Sequence, residues 1–470
     1  VGVGVTVTMG GALGSGTAID QYGNTDTLTS IESIQGSHGN DTLTGNAARM
    51  QTGLMSDTPE QFEGMGGNDT IDGGTNVPSH FAQVSYANSP GSAGVTVNLG
   101  LGTALDGFGG SDSLLNIDGV IGSSGNDMLT GGSSSSQVVA TGLFEQFDGG
   151  AGNDTIDGGN GTDRANYNSA GGSVTVVLDT DGNSGNGYAG PATGGSGNDT
   201  LISIEHVRGS GFGDSLTGGG GNDAFEGQGG DDTIHGGGGF DTIRYDRSTS
   251  AVTVTFSTAD AGTALDGLGG TDSFDGIEAV RGSDGNDILT GTTGDQQFEG
   301  MAGADLIDGG TGGETSGDRV SYGSSLGNVT VNLATNSAID SWGSTDAINN
   351  IENITGSQFN DTLTGDSLAN RISGQGGNDS ITGGLGDDIL DGGAGTDIAN
   401  YSGNQGTYTV TSLGGSNYRV EGADGTDTLS NIETLQFADF SQNLAVTGAV
   451  YNFTDMTDGQ AVDFNPADDT

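Results

Sequence analysis

Apolar residues recur every nine positions along this chain. Val207, Leu216, Phe225, Ile234 and Ile243 form one such comb, and Val120, Leu129, Val138, Phe147, Ile156 and Ala165 form another. Val280, Leu289, Phe298 and Ile307 make a third, and Ile354, Leu363, Ile372, Ile381, Leu390 and Ala399 a fourth. Each tooth predicts a very short strand, with the tooth inward and its two neighbours outward. The segments between teeth are too rich in glycine for helix. They predict turns instead, because glycine takes positive φ at little cost. One turn and one strand every nine residues makes an eighteen-residue coil with two turns and two strands. Such coils stack at the strand spacing of roughly 4.8 Å. The fold class is therefore all-β: a parallel β-roll or β-helix solenoid of glycine- and aspartate-rich nonapeptides.

A longer period encloses the comb. Strand-like "VTV" segments or their variants begin at Val5, Val95, Val174, Val252, Val329 and Tyr408, the last five 79, 78, 77 and 79 residues apart. Tyr86, Tyr167, Tyr245, Tyr322 and Tyr401 precede the five later ones. A regular place before a strand predicts core anchors whose hydroxyls find a partner, rather than platforms for sugar stacking. Each unit also carries an apolar triplet at i, i+3, i+6 with an acid after its second member, as in "LTSIESI", "LLNIDGV", "LISIEHV", "FDGIEAV", "INNIENI" and "LSNIETL". About six tandem modules result: 1–85, 86–166, 167–244, 245–321, 322–400 and a partial sixth at 401–446. Residues 447–470 read as a tail or the start of another unit. The insertion "NAARMQTGLMSDTPEQ" breaks phase in the first module.

Charge changes the picture. There are 62 Asp+Glu against 9 Lys+Arg, a formal net charge of -53, with 96 glycines and 31% hydrophobic residues. A chain so charged and so poor in apolar residues reads as disordered unless something holds it. Two positions before most teeth stands an aspartate. Those on the comb are Asp127, Asp154, Asp163, Asp214, Asp223, Asp232, Asp241, Asp287, Asp305, Asp361, Asp379, Asp388 and Asp397. Asp41, Asp69, Asp199 and Asp318, and the module acids Asp26, Asp112, Asp272, Asp346 and Asp427, complete the candidate metal ligands. Coiling would lay Asp223 over Asp241 and Asp361 under Asp379. Carboxylates roughly 5 Å apart repel by about 3 kcal/mol at an effective dielectric near 20. With so few Lys and Arg, the stack requires a divalent cation. Calcium fits best, in many copies, since it accepts six to eight carboxylate and carbonyl oxygens in flexible geometry. Zinc would want Cys or His, and there is no Cys and only four scattered histidines. Magnesium prefers a rigid octahedron with retained water. The position two before the second tooth of each block reads Glu60, Glu145, Asp223, Gln296 and Asn370, so only the third module keeps aspartate there.

At these motifs the chain resembles the RTX (repeats-in-toxin) proteins. "GGSGNDTLI" (194–202) matches the nonapeptide G-G-x-G-x-D-x-U-x in full, and "GQGGDDTIH" and "GGAGTDIAN" match it nearly. The likeness touches all six modules, its nonapeptide blocks covering around half of the chain. The resemblance implies calcium held between stacked turns by aspartate side chains and glycine carbonyls. It further implies type I secretion as an unfolded chain that folds on meeting external calcium, and hence a secreted, extracellular or cell-surface location. The "VTVNL…LxxIExV" segments look like those of large bacterial RTX exoproteins.

Other chemistry is thin. "GSSLG" (323–327) has the nucleophile-elbow spacing but sits in a repeat slot shared with "YNSAGG" and "YDRSTS". "DTDGN" (179–183) resembles an EF-hand start, yet the twelfth position is Gly190. No HExxH is present. No catalytic constellation converges, so the chain is expected not to be an enzyme. The strong negative charge disfavours nucleic acid and anionic membrane as partners, and no stretch of about 18 apolar residues predicts a transmembrane helix. The first residues, "VGVGVTVTMG", lack a starting Met and a basic n-region and read as a chain entered partway. The favoured function is a calcium-binding structural array of a surface layer, adhesin or extracellular filament, with self-association or acidic cell-surface polysaccharide as further partners. The alternative is the calcium-dependent secretion and folding region of an exoenzyme or toxin whose catalytic domain lies outside this chain. The ~78-residue modules favour the first, since toxins run their nonapeptides in longer blocks.

Overall fold

The computed structural model describes residues 2–10, 15–46, 59–74, 81–90, 94–132, 144–178, 186–188, 197–311 and 315–444. Most of the first-module insertion, the "DTDGN" segment and the tail lie outside them. The chain forms two compact units, 1–315 and 316–470. Among the described residues the regular structure is almost entirely short β-strands, with two short 3-10 turns, and no helix is long and apolar enough to cross a membrane.

In the first unit the comb folds as its period predicts. Strand Ser215–Thr217 pairs in parallel with Thr233–His235, Leu216 opposite Ile234. On the other side of the coil Ala224–Glu226 pairs with Thr242–Arg244, Phe225 opposite Ile243. The teeth are fully buried and their neighbours mostly are not, because successive side chains of a strand point to opposite faces. One parallel column runs through the teeth Ile34, Phe62, Val84, Val120, Phe147, Ala165, Val207, Phe225, Ile243, Val280 and Phe298.

The facing sheet is not purely parallel. Thr96–Asn98, Thr103–Leu105 and Ser111–Leu115 form an antiparallel meander whose outer strands join the parallel column, on Met128–Thr130 and Thr70–Asp72 respectively. Thr253–Phe256, Gly262–Leu265 and Thr271–Asp275 repeat the device. The "VTV" segment is thus the first strand of one inserted hairpin pair, and the apolar triplet leads out of its last strand, with Leu114 or Phe274 in that strand and Val120 or Val280 already a tooth of the other column.

The second unit keeps both patterns. Val320, Ile354, Ile372, Leu390 and Leu429 make one column, and Val331, Leu363, Ile381, Ala399 and Leu435 the other. Its first meander joins the column of Val331, but its last, Thr409–Gly414 to Gly425–Ser430, joins the column of Leu390. The cause is parity. Six consecutive nonapeptides from Ile354 to Ala399 end in the column opposite the one they start in, whereas the five from Val207 to Ile243 end in the column they start in.

The module tyrosines are buried core anchors, as their position predicts. Their partners are aspartates: the hydroxyls of Tyr86, Tyr245 and Tyr322 donate to Oδ2 of Asp112, Asp272 and Asp346 at 3.0, 2.9 and 2.8 Å. The "GSSLG" serines fall in the turn after Tyr322, where the Ser325 N–H donates to the Tyr322 carbonyl. Tyr86–Ser89 and Tyr245–Ser248 close in the same way, so this is a repeat turn.

On the outer flank of the first unit's parallel column, side chains beside the teeth gather into a buried charged cluster. Glu226 accepts from Arg208 Nε at 2.5 Å and pairs with Arg164 at 3.0 Å. Arg164 lies 4.9 Å over the Phe144 ring, and Arg244 donates to Asp246 at 2.7 Å. Burial alone would raise the Glu226 carboxyl, but Arg164, His206 and Arg208 hold it well below the usual range, while burial pushes His206 far down and keeps it neutral.

Candidate functional site

The aspartates of successive coils stack as the eighteen-residue coil requires, and the backbone shows how. The Asp223 N–H donates to Asp241 Oδ1 at 2.7 Å, Asp214 to Asp232 at 2.7 Å, Asp361 to Asp379 at 2.8 Å and Asp379 to Asp397 at 2.7 Å. Asp127 to Asp154, Asp41 to Asp69 and Asp287 to Asp305 do the same. Each carboxylate therefore spends one oxygen on the coil behind it. The preceding residue runs the other way: Asn360 and Asn378 accept from Asn378 and Thr396 of the next coil at 2.6 and 2.8 Å. The Asn-Asp pair zips neighbouring turns in both directions.

Three of the module acids, and Asp199 at the same place in the third module, end these ladders. Asp112, Asp199, Asp272 and Asp427 accept the N–H of Asp69, Asp154, Asp232 and Asp388 at 2.9–3.1 Å. In Asp112, Asp272 and Asp346 Oδ2 is taken by the tyrosine hydroxyl. Asp26, on the edge strand Thr25–Thr29, is exposed. The acids of four apolar triplets are caps of the same kind: Glu205, Glu278, Glu352 and Glu433 accept from the N–H of Asp163, Asp241, Asp318 and Asp397 at 2.7–3.0 Å, while Asp118 accepts from the Ala82 N–H at 3.0 Å. Sequence reasoning saw these acids without finding their role.

What remains is the second carboxylate oxygen, and here the turns divide. In Asp69, Asp154, Asp163, Asp232, Asp241, Asp379, Asp388 and Asp397 Oδ2 is buried with no hydrogen-bond partner. We call these turns open. Asp305 and Asp318 are equally buried. In Asp41, Asp127, Asp214, Asp287 and Asp361 both oxygens are filled, because a serine four residues earlier donates its N–H to Oδ2 at 2.5–2.6 Å and its hydroxyl to Oδ1 at 2.7–2.9 Å. A third donor reaches Oδ1, the N–H of Val5, Val95, Val174, Val252 or Val329 at the start of each module's meander. Asp223 is closed without a serine, its Oδ2 accepting from the Gly219 N–H at 2.6 Å.

An unfilled buried carboxylate oxygen is costly. Burial, reinforced by neighbouring aspartates, pushes Asp232 up to about 9, Asp154 and Asp163 to about 8, and Asp69, Asp241, Asp379 and Asp388 to about 7. Such groups must hold a proton or face a cation. The glycine five before each aspartate leaves the space. A Cβ on Gly374 would run into Asp379 Oδ2 and the Gly392 carbonyl of the next coil, and one on Gly236 into Asp241 Oδ2 and the Gly276 carbonyl. Carboxylate and carbonyl oxygens thus converge on one side of a side-chain-free backbone, the donor set of a hard, oxygen-seeking cation. Among the described residues no three His, Asp or Glu side chains form a metal cluster by themselves, so carbonyls must complete any such site.

The profile of the RTX calcium-binding nonapeptide repeat (four copies) matches residues 29–48, 57–76, 118–135, 141–169, 208–243, 281–313 and 364–399. Those spans contain all eight open aspartates. No curated protein matches the chain.

Proposed function

From a chain that carries the calcium-binding nonapeptide repeats of the RTX family along its length, we propose a calcium-built structural array of a secreted bacterial surface protein, belonging to a surface layer, adhesin or extracellular filament, that folds and stiffens on meeting external calcium. The observation that carries this reading is the set of open turns, where a buried carboxylate oxygen has no donor and, at Asp163, Asp241, Asp379 and Asp397, lies beside a neighbouring coil's carbonyl. Calcium supplies the positive charge and flexible oxygen coordination that such turns lack. With 62 acids and 9 Lys+Arg, the chain cannot supply that charge itself. Low calcium inside a cell keeps the chain extended for type I export, and millimolar external calcium, the range of extracellular modules, folds it. The ~78-residue modules, which carry a meander near their start, support a structural array over the secretion region of an exoenzyme. Half-buried acids of the outward flank such as Asp157 and Asp391 offer carboxylates for calcium bridges to another copy or to acidic polysaccharide.

Circular dichroism of the full chain tests this. Calcium-free protein is expected to show little β signal near neutral pH and to gain it cooperatively as millimolar calcium is added. A full β spectrum in chelator would overturn the reading.

A further inference from the structure

We propose that the backbone hand of the residue four before the aspartate decides which turns take calcium: turns left-handed there hold an ion, and turns that are not are permanent metal-free staples. This rests on the calcium reading above and assigns the ions within it.

The correlation holds across the described turns. The residue four before every open aspartate has positive φ, as at Gly150 (80°), Gly237 (100°) and Gly384 (109°), and at the non-glycines Met65 (69°), Gln228 (72°) and Gln375 (73°). None of the serines of the closed turns is left-handed, nor is Gly219. The consequence is mechanical. With ordinary φ, the N–H at that position points at Oδ2 and fills it, as the Ser357 N–H does for Asp361 at 2.5 Å. With positive φ the N–H turns away and Oδ2 is left with no donor.

A second observation points the same way. The turn of Asp223 is closed, and its counterparts in the next two modules hold amides. Gln296 Oε1 accepts from the Thr292 N–H at 3.2 Å and Asn370 Oδ1 from the Asp366 N–H at 2.8 Å, just as Asp223 Oδ2 accepts from Gly219. The amide nitrogens donate onward, Gln296 to the Ala259 carbonyl at 2.6 Å and Asn370 to the Glu352 carbonyl at 2.8 Å. A neutral side chain does this work, so negative charge is not needed there. Every open turn, by contrast, has aspartate. An ion at a serine turn would have to displace three donors from an already satisfied carboxylate.

The staples have a use. Each serine turn ties the first strand of a meander to a turn 32–40 residues later, Val95 to Asp127 and Val174 to Asp214 for example. Module register is thereby pinned without metal, and calcium completes the coils between pins.

The test is calcium stoichiometry of the full chain by equilibrium dialysis. Asp223→Asn copies what stands at 370 and should leave the number of bound ions unchanged. Asp232→Asn, nine residues on, should lower it by at least one. Ser357→Ala removes a donor from a staple without removing a carboxylate, and should lower the melting temperature in calcium with the ion count intact. Loss of an ion in Asp223→Asn or Ser357→Ala, or an unchanged count in Asp232→Asn, would overturn the assignment. A wild-type chain that binds no calcium would instead sink the proposed function itself.

Discussion

The amide N–H of Asp361 donates to Oδ1 of Asp379, one coil away, at 2.8 Å. Both side chains are buried. Yet Asp361 ends with every oxygen filled, and Asp379 with Oδ2 facing no donor. Two aspartates at equivalent places in consecutive coils thus carry different electrostatic burdens, and the measurable behaviour of the chain follows from that difference.

Acid should replace calcium in part. Seven of the open carboxylates, all but Asp397, are raised to about 7–9 and bind protons more tightly folded than unfolded. Their contribution to stability is therefore fully present below the ordinary carboxylate pKa near ~4 and lost as pH rises through 7 to 9. Calcium-free protein should melt higher at pH 5 than at pH 8. Falling net charge works in the same direction. Stability without calcium that rises with pH would contradict the burial of these groups.

Much of this was legible. The nine-residue comb announced both columns, and Leu216 does stack on Ile234. The meander was not read, although its strands were noticed, because Thr96–Asn98 and Ser111–Leu115 look like any short alternating strand and nothing local sets their direction. The serine turns left a trace that went unread: Ser37, Ser123, Ser210, Ser283 and Ser357 each stand four before an aspartate. The hand of Gly219 against that of Gly237 left none, since glycine permits both and only the stacked coil chooses. The arginine cluster was also invisible. Arg164, Arg208, Arg244 and Arg281 are scattered along the chain and meet only because each flanks a tooth of one column.

Glu226 should be the costliest single acid to neutralise in the first unit. It is buried at the centre of Arg164, Arg208 and neutral His206, with side-chain exposure of 2%. Glu226→Gln leaves those guanidiniums without a counter-charge, which for a buried pair costs about 3–5 kcal/mol. Denaturant unfolding in saturating calcium measures it. A loss under about 1 kcal/mol, the worth of a surface pair, would show that solvent reaches the cluster.

Tyr245→Phe should destabilise the chain without changing its calcium uptake. The substitution strips one donor, at 2.9 Å, from Asp272 Oδ2 in a buried site, a loss of about 1–3 kcal/mol. Calcium titration of the variant should then show the same number of ions as wild type with a lower melting temperature. An ion gained or lost would mean that Asp272 is itself a ligand rather than the end cap of its ladder.

Gln375→Gly should stabilise the calcium-loaded protein. Gln375 stands at φ 73° four residues before Asp379, a conformation costing a non-glycine about 1–2 kcal/mol. Its side chain offers little in return, an exposed hydrogen bond to the Ser373 hydroxyl at 3.1 Å. Glycine relieves the backbone, though the unfolded chain gains entropy, so a net gain of about 0.5–1 kcal/mol is expected. Gln375→Val should do the reverse, since a β-branched residue resists positive φ more strongly. Paired thermal melts in saturating calcium decide the matter. If valine melts higher than glycine, the turn is not left-handed when loaded, and the link between backbone hand and open carboxylate fails with it.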